Sequence, residues 1–205
     1  SGRGYMNELF VVLNIKEYLR YDKGGEELLR RIYSTFCCTK NNDVHKFLIE
    51  QSIDFTKKNQ SVTYLVFTKI EKEIVGYFTI TIKPISVYCE GLSKTVKRKI
   101  ARVSKLDKEN EQYMLAAYLI AQLGKNFQYE NDKRITGKQL LNLAIDKIRE
   151  IQYMAGGKVM FLEAENKEKL LNFYERKNGF KQFNTRPVMS KEENGHTLVQ
   201  LLQVL

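Results

Sequence analysis

The chain has 205 residues, 43% of them hydrophobic and 28% charged, with a formal net charge of +10. This suits a globular protein with a real core, built as one large or two small domains. No apolar run approaches the roughly 18 residues of a membrane helix and the start lacks a signal-peptide pattern, so no membrane partner is expected, while the positive balance suits a polyanionic one.

Residues 8–15 (ELFVVLNI) predict a first strand. Residues 26–36 and 43–55 predict two helices, with Asp43 as the N-cap of the second. Between them lie Cys37 and Cys38; Cys89 is the third cysteine. Three thiols without paired spacing imply a reducing, cytoplasmic setting and buried or half-buried free thiols. His45 lies nearby, but two thiols and one imidazole make no recognised ligand spacing, so no metal is expected.

The period then changes. Residues 61–68 (SVTYLVFT) and 74–82 (IVGYFTITI) are rich in β-branched and aromatic residues, and the short polar link between them predicts a hairpin. Residues 93–105 (SKTVKRKIARVSK) carry six cations in twelve positions: Lys94, Lys97, Arg98, Lys99, Arg102 and Lys105. They read either as a solvated helix face or as a nucleic-acid contact. Residues 114–126 (MLAAYLIAQLGKN) are apolar on both faces, the pattern of a strand covered on each side.

The stretch NDKRITGKQLLNLAIDKIRE, residues 131–150, runs from a basic turn into an amphipathic helix in which apolar residues recur at Leu140, Leu141, Leu143, Ala144, Ile145 and Ile148, close to helical spacing. Gly137 stands near the helix start, where backbone N–H groups lack intrahelical partners and the dipole is positive. With Lys133, Arg134 and Lys138 around it, the turn reads either as an anion site, most naturally for phosphate, or as an ordinary strand-to-helix turn with solvated lysines. The helix should stop at Gly156-Gly157. Residues 158–163 predict a strand, 167–177 a short helix, and 179–183 open a hairpin closed by HTLVQLLQV. Two prolines, Pro84 and Pro187, and no Gly/Ser-rich stretch leave no linker, so residues 1–205 are expected to form a single α/β domain.

Neither G-x-x-x-x-G-K-[ST] nor G-x-G-x-x-G occurs, which argues against a nucleotide triphosphatase or a dinucleotide enzyme. In LLNFYERKNGF, residues 170–180, Phe173 reads as a core aromatic. Tyr174 carries a phenol that can donate a proton within a site.

The element order, the strand with its basic turn and long helix, IVGYFTI, and above all FYERKNGF resemble the GNAT superfamily of acetyl-CoA-dependent N-acetyltransferases. The resemblance is clearest from residue 64 to 183. Residues 36–67 followed by IVGYFTITIKPI, together with the cationic insert, are similar to the acetyltransferase toxins of bacterial toxin–antitoxin pairs, which acetylate aminoacyl-tRNA. Cys38 is followed by Thr39 where those proteins tend to have glycine. The family's pyrophosphate motif, Q/R-x-x-G-x-G/A, is also incomplete. With Gly137 at its last position, Asp132 stands first and Ile135 replaces the middle glycine. With Arg134 first, Gly137 is the middle glycine and Gln139 the last residue. GKQLL matches the usual helix start in the former alignment.

The resemblance implies a mixed, mostly antiparallel central sheet flanked by helices, with splayed fourth and fifth strands. It implies acetyl-CoA as cosubstrate, held by Leu123, Gly124 and Lys125, by Lys133, Arg134, Ile135, Thr136, Gly137 and Lys138, and by Asn166. A backbone N–H near Leu123 would hold the developing oxyanion, and Tyr174 would protonate the departing thiolate. Glu163 and Glu165 are close enough to be weighed as bases, though a surface salt bridge is the simpler reading of each. The implied partners are an amine acceptor, here aminoacyl-tRNA through Lys97, Arg98, Lys99 and Arg102, an antitoxin protein, and a second copy in a homodimer. A protein or small-amine acceptor is the alternative, as is a non-catalytic nucleic-acid-binding module on the same scaffold.

Overall fold

The computed structural model of the chain describes residues 9–90, 92–128, 133–188 and 196–205. Among the described residues, eight strands occur: β1 (Phe10–Asn14), β2 (Val62–Thr68), β3 (Ile74–Tyr88), β4 (Leu106–Asp107), β5 (Gln112–Lys125), β6 (Val159–Glu165), β7 (Lys181–Val188) and β8 (His196–Val204). They form a sheet in the order β1-β2-β3-β5-β6-β8-β7, with β4 pairing on β5. The β5–β6 ladder is parallel, and those of β1–β2, β2–β3, β4–β5, β6–β8 and β7–β8 are antiparallel. This is the mixed, mostly antiparallel α/β architecture expected. The strands counted fourth and fifth in the sequence are β5 and β6, because the two-residue β4 has no sequence signature. Their parallel ladder has only three steps, Tyr118 to Met160, Leu119 to Phe161 and Ile120 to Leu162, whereas β5 runs on to Lys125.

The described residues group into two compact units, one drawn from Ser1–Thr81 with Ala121–Lys147 and the other from Ile82–Ile120 with Ile148–Leu205. The first packs α1 (Ile15–Leu19), α2 (Asp22–Tyr33), α3 (Asn42–Lys46) and α4 (Ser52–Lys57) around the inner faces of β2 and β3. Ile15, Leu29, Tyr33, Leu48, Leu65 and Tyr77 are buried at its centre. The expected helix over residues 43–55 is interrupted by a π-helical turn, Phe47–Gln51, where Ser52 N donates to Phe47 O. The wider turn keeps Phe47, Leu48, Ser52 and Ile53 buried in one run, and the Ser52 hydroxyl meets Tyr33 Oη at 2.9 Å. The cap of this helix is Asn41, not Asp43. Asn41 is extended and its Oδ1 accepts from Val44 N at 3.1 Å, while Asp43 sits in the first turn, where its charge suits the dipole.

The second unit joins β4, β6, β7 and β8 with α5 (Lys94–Ile100) and α7 (Glu168–Leu171) over a core of Val87, Ile100, Ala117, Val159, Phe161 and Leu202. Ser93 Oγ caps α5 by accepting from Val96 N. The strand expected to be covered on both faces is so only in part, since Met114 is 63% exposed and alternates with buried Tyr113 and Leu115. The long helix α6 (Gly137–Ala155) ends as expected. Gly156 N donates to Gln152 O, Gln152 Nε2 donates to Gly157 O, and both glycines have positive φ. A Cβ on Gly157 would stand 2.8 Å from the Tyr118 ring, so glycine is required there twice over.

Candidate active site

In the first unit the end of β5 is held by one buried amide. Asn126 is 2% exposed. Its Oδ1 accepts from Cys37 N and Gln128 N, both at 3.0 Å, and its Nδ2 donates to Thr35 O at 3.0 Å and Ile74 O at 2.8 Å. Its backbone N donates to Val75 O, and Phe127 N donates to Cys37 O. Every side-chain position that can bond does so, which fixes Leu123, Gly124 and Lys125 at the strand end relative to β3 and the segment after α2. Gly124 is buried, and a Cβ there would collide with Val44 Cγ1 at 2.5 Å and Tyr77 Cε1 at 2.7 Å. Lys125 Nζ lies 5.5 Å from the Phe127 ring centroid, and Lys40 Nζ lies 4.3 Å from it.

Gly76, the glycine of IVGYFTI, brings this strand end to the start of α6. A Cβ on Gly76 would stand 3.0 Å from Gly124 O and 3.1 Å from Leu140 Cδ1. The loop before α6 is anchored on the same side: Ile135 is fully buried and Arg134 pairs with Glu73, the residue before β3. Lys133 and Lys138 are exposed. Asp132, first in one alignment of the pyrophosphate motif, lies outside the described residues.

The helix start is closed by a reciprocal cap. Gln139 N donates to Thr136 Oγ1 at 3.2 Å, while Gln139 Oε1 accepts from Thr136 N at 2.8 Å and from Thr136 Oγ1 at 2.9 Å. This is the T-x-x-Q capping box. It takes up the amides of Thr136 and Gln139 and leaves those of Gly137 and Lys138 as the pair it does not use. A phosphate at this end would meet two amides and the ammonium groups of Lys133 and Lys138. The site thus fits a phosphate through part of the helix terminus rather than all of it.

Tyr174 belongs to the second unit. It lies in a second π-helical turn, Asn172–Arg176, where Lys177 N donates to Asn172 O. Asn178 Nδ2 then caps Phe173 O at 2.7 Å, Phe180 N donates to Tyr174 O at 3.1 Å, and Gly179 takes φ +74. These bonds explain FYERKNGF: the amide and the glycine end the turn, and the aromatics flank the half-buried phenol. Phe173 packs edge-on against Tyr174 at 5.0 Å, and Phe180 does so at 6.0 Å. Burial pushes the Tyr174 phenol up to about 12. It is therefore a proton donor and not a phenolate throughout the physiological range. Asn166 is exposed, just past β6.

Both weighed carboxylates are engaged in ion pairs. Burial opposes the charge of Glu163, but Arg186 Nε and Gln200 Nε2, each 2.8 Å from its Oε1, hold its pKa below the usual carboxylate range. Glu165 pairs with exposed Lys167. Cys38 is buried, and Cys37 and Cys89 are half-buried, all free, as expected. The basic segment is the capped helix α5 and the turn after it. Lys97 is half-buried, Arg98, Lys99 and Arg102 are exposed, and no ion pair among the described residues involves them.

At these places Gln139 and Asn126 had no assigned role in the sequence, and Thr136 had one only towards the cosubstrate. Thr136 and Gln139 were readable as a capping box, three residues apart before an apolar run. Asn126 had no local signal, because its partners lie up to 91 positions away.

No family model matches the chain, and no curated protein matches it. Solved structures do. AtaT complexed with acetyl-methionyl-tRNAfMet is 16% identical at a TM-score of 0.60, covering 93% of each chain. A tyrosine-to-phenylalanine mutant of KacT is 17% identical at 0.60, covering 96% of this chain and 95% of that one. AtaTR bound with AcCoA is 17% identical at 0.53, covering 96% and 93%. At the level of fold, the chain resembles these GNAT-fold acetyltransferase toxins along nearly its whole length.

Proposed function

We propose that this chain is an acetyl-CoA-dependent N-acetyltransferase of toxin type, moving the acetyl group to a primary amine, with aminoacyl-tRNA as the acceptor class. The observation that carries the reading is the fold shared over 93% of both chains with AtaT, solved with an acetylated aminoacyl-tRNA. Acetyl-CoA as cosubstrate has the same kind of support from AtaTR bound with AcCoA. An antitoxin protein enters as a partner class because an AtaT mutant was solved bound to the C-terminus of AtaR.

On this reading, Gly137 and Lys138 offer amides, and Lys133 and Lys138 charge, to the diphosphate. Arg134 and Ile135 fix the loop through Glu73 and the core. Thr136 sets the helix start. The rigid end of β5 at Leu123, Gly124 and Lys125 supplies backbone groups, with an N–H near Leu123 for the developing oxyanion, and Asn166 supplies an exposed amide. Attack by a neutral amine forms a C–N bond and breaks the C–S bond. The thiolate takes the Tyr174 proton, the amine loses one to water, and water returns a proton to the phenolate. Lys97, Arg98, Lys99 and Arg102 face a polyanionic acceptor.

One observation favours a second reading. The capping box satisfies two amides of the helix start without any anion, as a non-catalytic nucleic-acid-binding module would allow. Titration with acetyl-CoA and transfer of its label to charged tRNA separate the two. Binding and transfer are expected. No heat at millimolar acetyl-CoA, with nucleic acid still bound, leaves the module.

A further inference from the structure

The last turn of α6 carries two side chains that no role above uses. Tyr153 is 93% exposed and Met154 76% exposed. A phenol ring held almost wholly in water at the end of a rigid helix gains nothing from the core. Beside it, Gly156 and Gly157 leave bare backbone as the floor of a shallow concavity of about 530 Å³. Tyr153 and Gln152 line one part of it, Val103 another, and Arg149 and Lys158 bring two cationic side chains. Gln152 is held in place by its bond to Gly157 O at 2.7 Å, which leaves its side-chain oxygen as an acceptor.

Val103 ties this concavity to the basic segment. Its N donates to Ile100 O at 2.9 Å, at the end of α5, and Ile100 is fully buried. Arg102 and Lys105, on either side of Val103 and Ser104 in sequence, are exposed. An exposed aromatic face, a floor without side chains and a cationic surround are the parts of a stacking platform for unpaired nucleotides. The positive charge that attracts phosphate repels a second copy of the chain brought onto the same patch. The concavity is also too open to enclose a small ligand.

We infer that Tyr153 is the stacking face of a seat for an unpaired RNA nucleotide, with Lys158 and the cations after α5 meeting its flanking phosphates. The inference extends the acceptor reading and rests on it for the choice of RNA. It adds a contact that recognises a single-stranded segment of the partner rather than its helical charge.

The test is fluorescence anisotropy of the full chain, without acetyl-CoA, against a labelled single-stranded oligoribonucleotide and a blunt RNA duplex with as many phosphates. Tyr153→Ala is expected to weaken single-strand binding about tenfold and duplex binding less than about twofold, and Tyr153→Phe to bind the single strand within about twofold of wild type. The salt dependence of Tyr153→Ala should match wild type, whereas Arg102→Ala with Lys105→Ala should flatten it by roughly 0.7 per lost phosphate contact. Unchanged single-strand binding by Tyr153→Ala overturns the inference, as does an equal loss on both probes. A dimer in sedimentation that Tyr153→Ala dissociates assigns the face to a second copy and overturns it equally. If the single strand binds as expected but charged tRNA takes no acetyl group, the seat stands and the acceptor reading falls. If acetyl transfer proceeds and Tyr153→Ala changes no binding, the reverse holds.

Discussion

The start of α6 and the π-helical turn around Tyr174 are built on opposite terms. At Thr136 and Gln139 exposed polar groups close on one another, so the helix end is stable with nothing bound. Around Tyr174 the aromatic rings of Phe173 and Phe180 flank a half-buried phenol whose hydroxyl has no hydrogen-bond partner among the described residues. The cap gives Thr136 and Gln139 a structural explanation. The Tyr174 phenol, half-buried and with its proton accepted by no described residue, admits a chemical one. The contrast leaves Tyr174 with a proton to give, and the phosphate end with the Gly137 and Lys138 amides beside its cap.

The comparison can be broken or sharpened by experiment. The largest effect is expected where satisfaction is most complete. Asn126→Ala strands two N–H donors and two carbonyls and should cost about 3 kcal/mol or more in urea denaturation; a loss near zero would mean that water replaces the amide and that the strand end is not rigid. Tyr174→Phe should lower acetyl transfer on the order of a hundredfold while stability stays level or rises by about 1 kcal/mol, because the lost hydroxyl had no partner. A loss of both together would make Tyr174 a structural residue.

Alkaline pH tests the burial itself. Burial raises Tyr33 and Tyr174 to about 12, and Tyr77 well above its ordinary value, so the folded chain keeps protons that the unfolded chain releases from about pH 10. Stability from these groups is complete below pH 10 and lost as pH climbs towards 12. The Tm should fall over that window, and fall less in Tyr174→Phe. The smallest effect is at the cap: Gln139→Ala should cost about 1 kcal/mol of stability but leave acetyl-CoA affinity equal or tighter, since the Thr136 amide becomes available. Weaker affinity would show that Gln139 itself holds the cosubstrate.

Much of this was legible because it is written locally. The hairpin of β2 and β3 follows from β-branched and aromatic runs around a short polar link, and the stop of α6 from Gly156 and Gly157. FYERKNGF marked its turn correctly, but not that the turn is π-helical. An extra residue in one turn leaves the apolar spacing close enough to 3.6 to pass for a plain helix. The same blurring hid the turn at Phe47–Gln51. Asp43 is of a type that serves as a cap, but the extended backbone that a cap needs is found at Asn41. The reach of β3 to Tyr88, past Pro84, was missed because proline ordinarily ends a strand pattern. Asn126 was out of reach because its meaning lies in partners from the segment after α2 and from β3 that only the folded chain assembles.

Gly76 has a mechanical consequence. It is the thin spacer through which the carbonyl of Gly124 and the side chain of Leu140 bear on one another, so a displacement at the end of the strand is transmitted to the first turn of α6 with almost no slack. A single methyl group at position 76 would work like a shim, tilting helix and strand apart while leaving every charged residue in place. Its damage would therefore register as misalignment, not as lost chemistry.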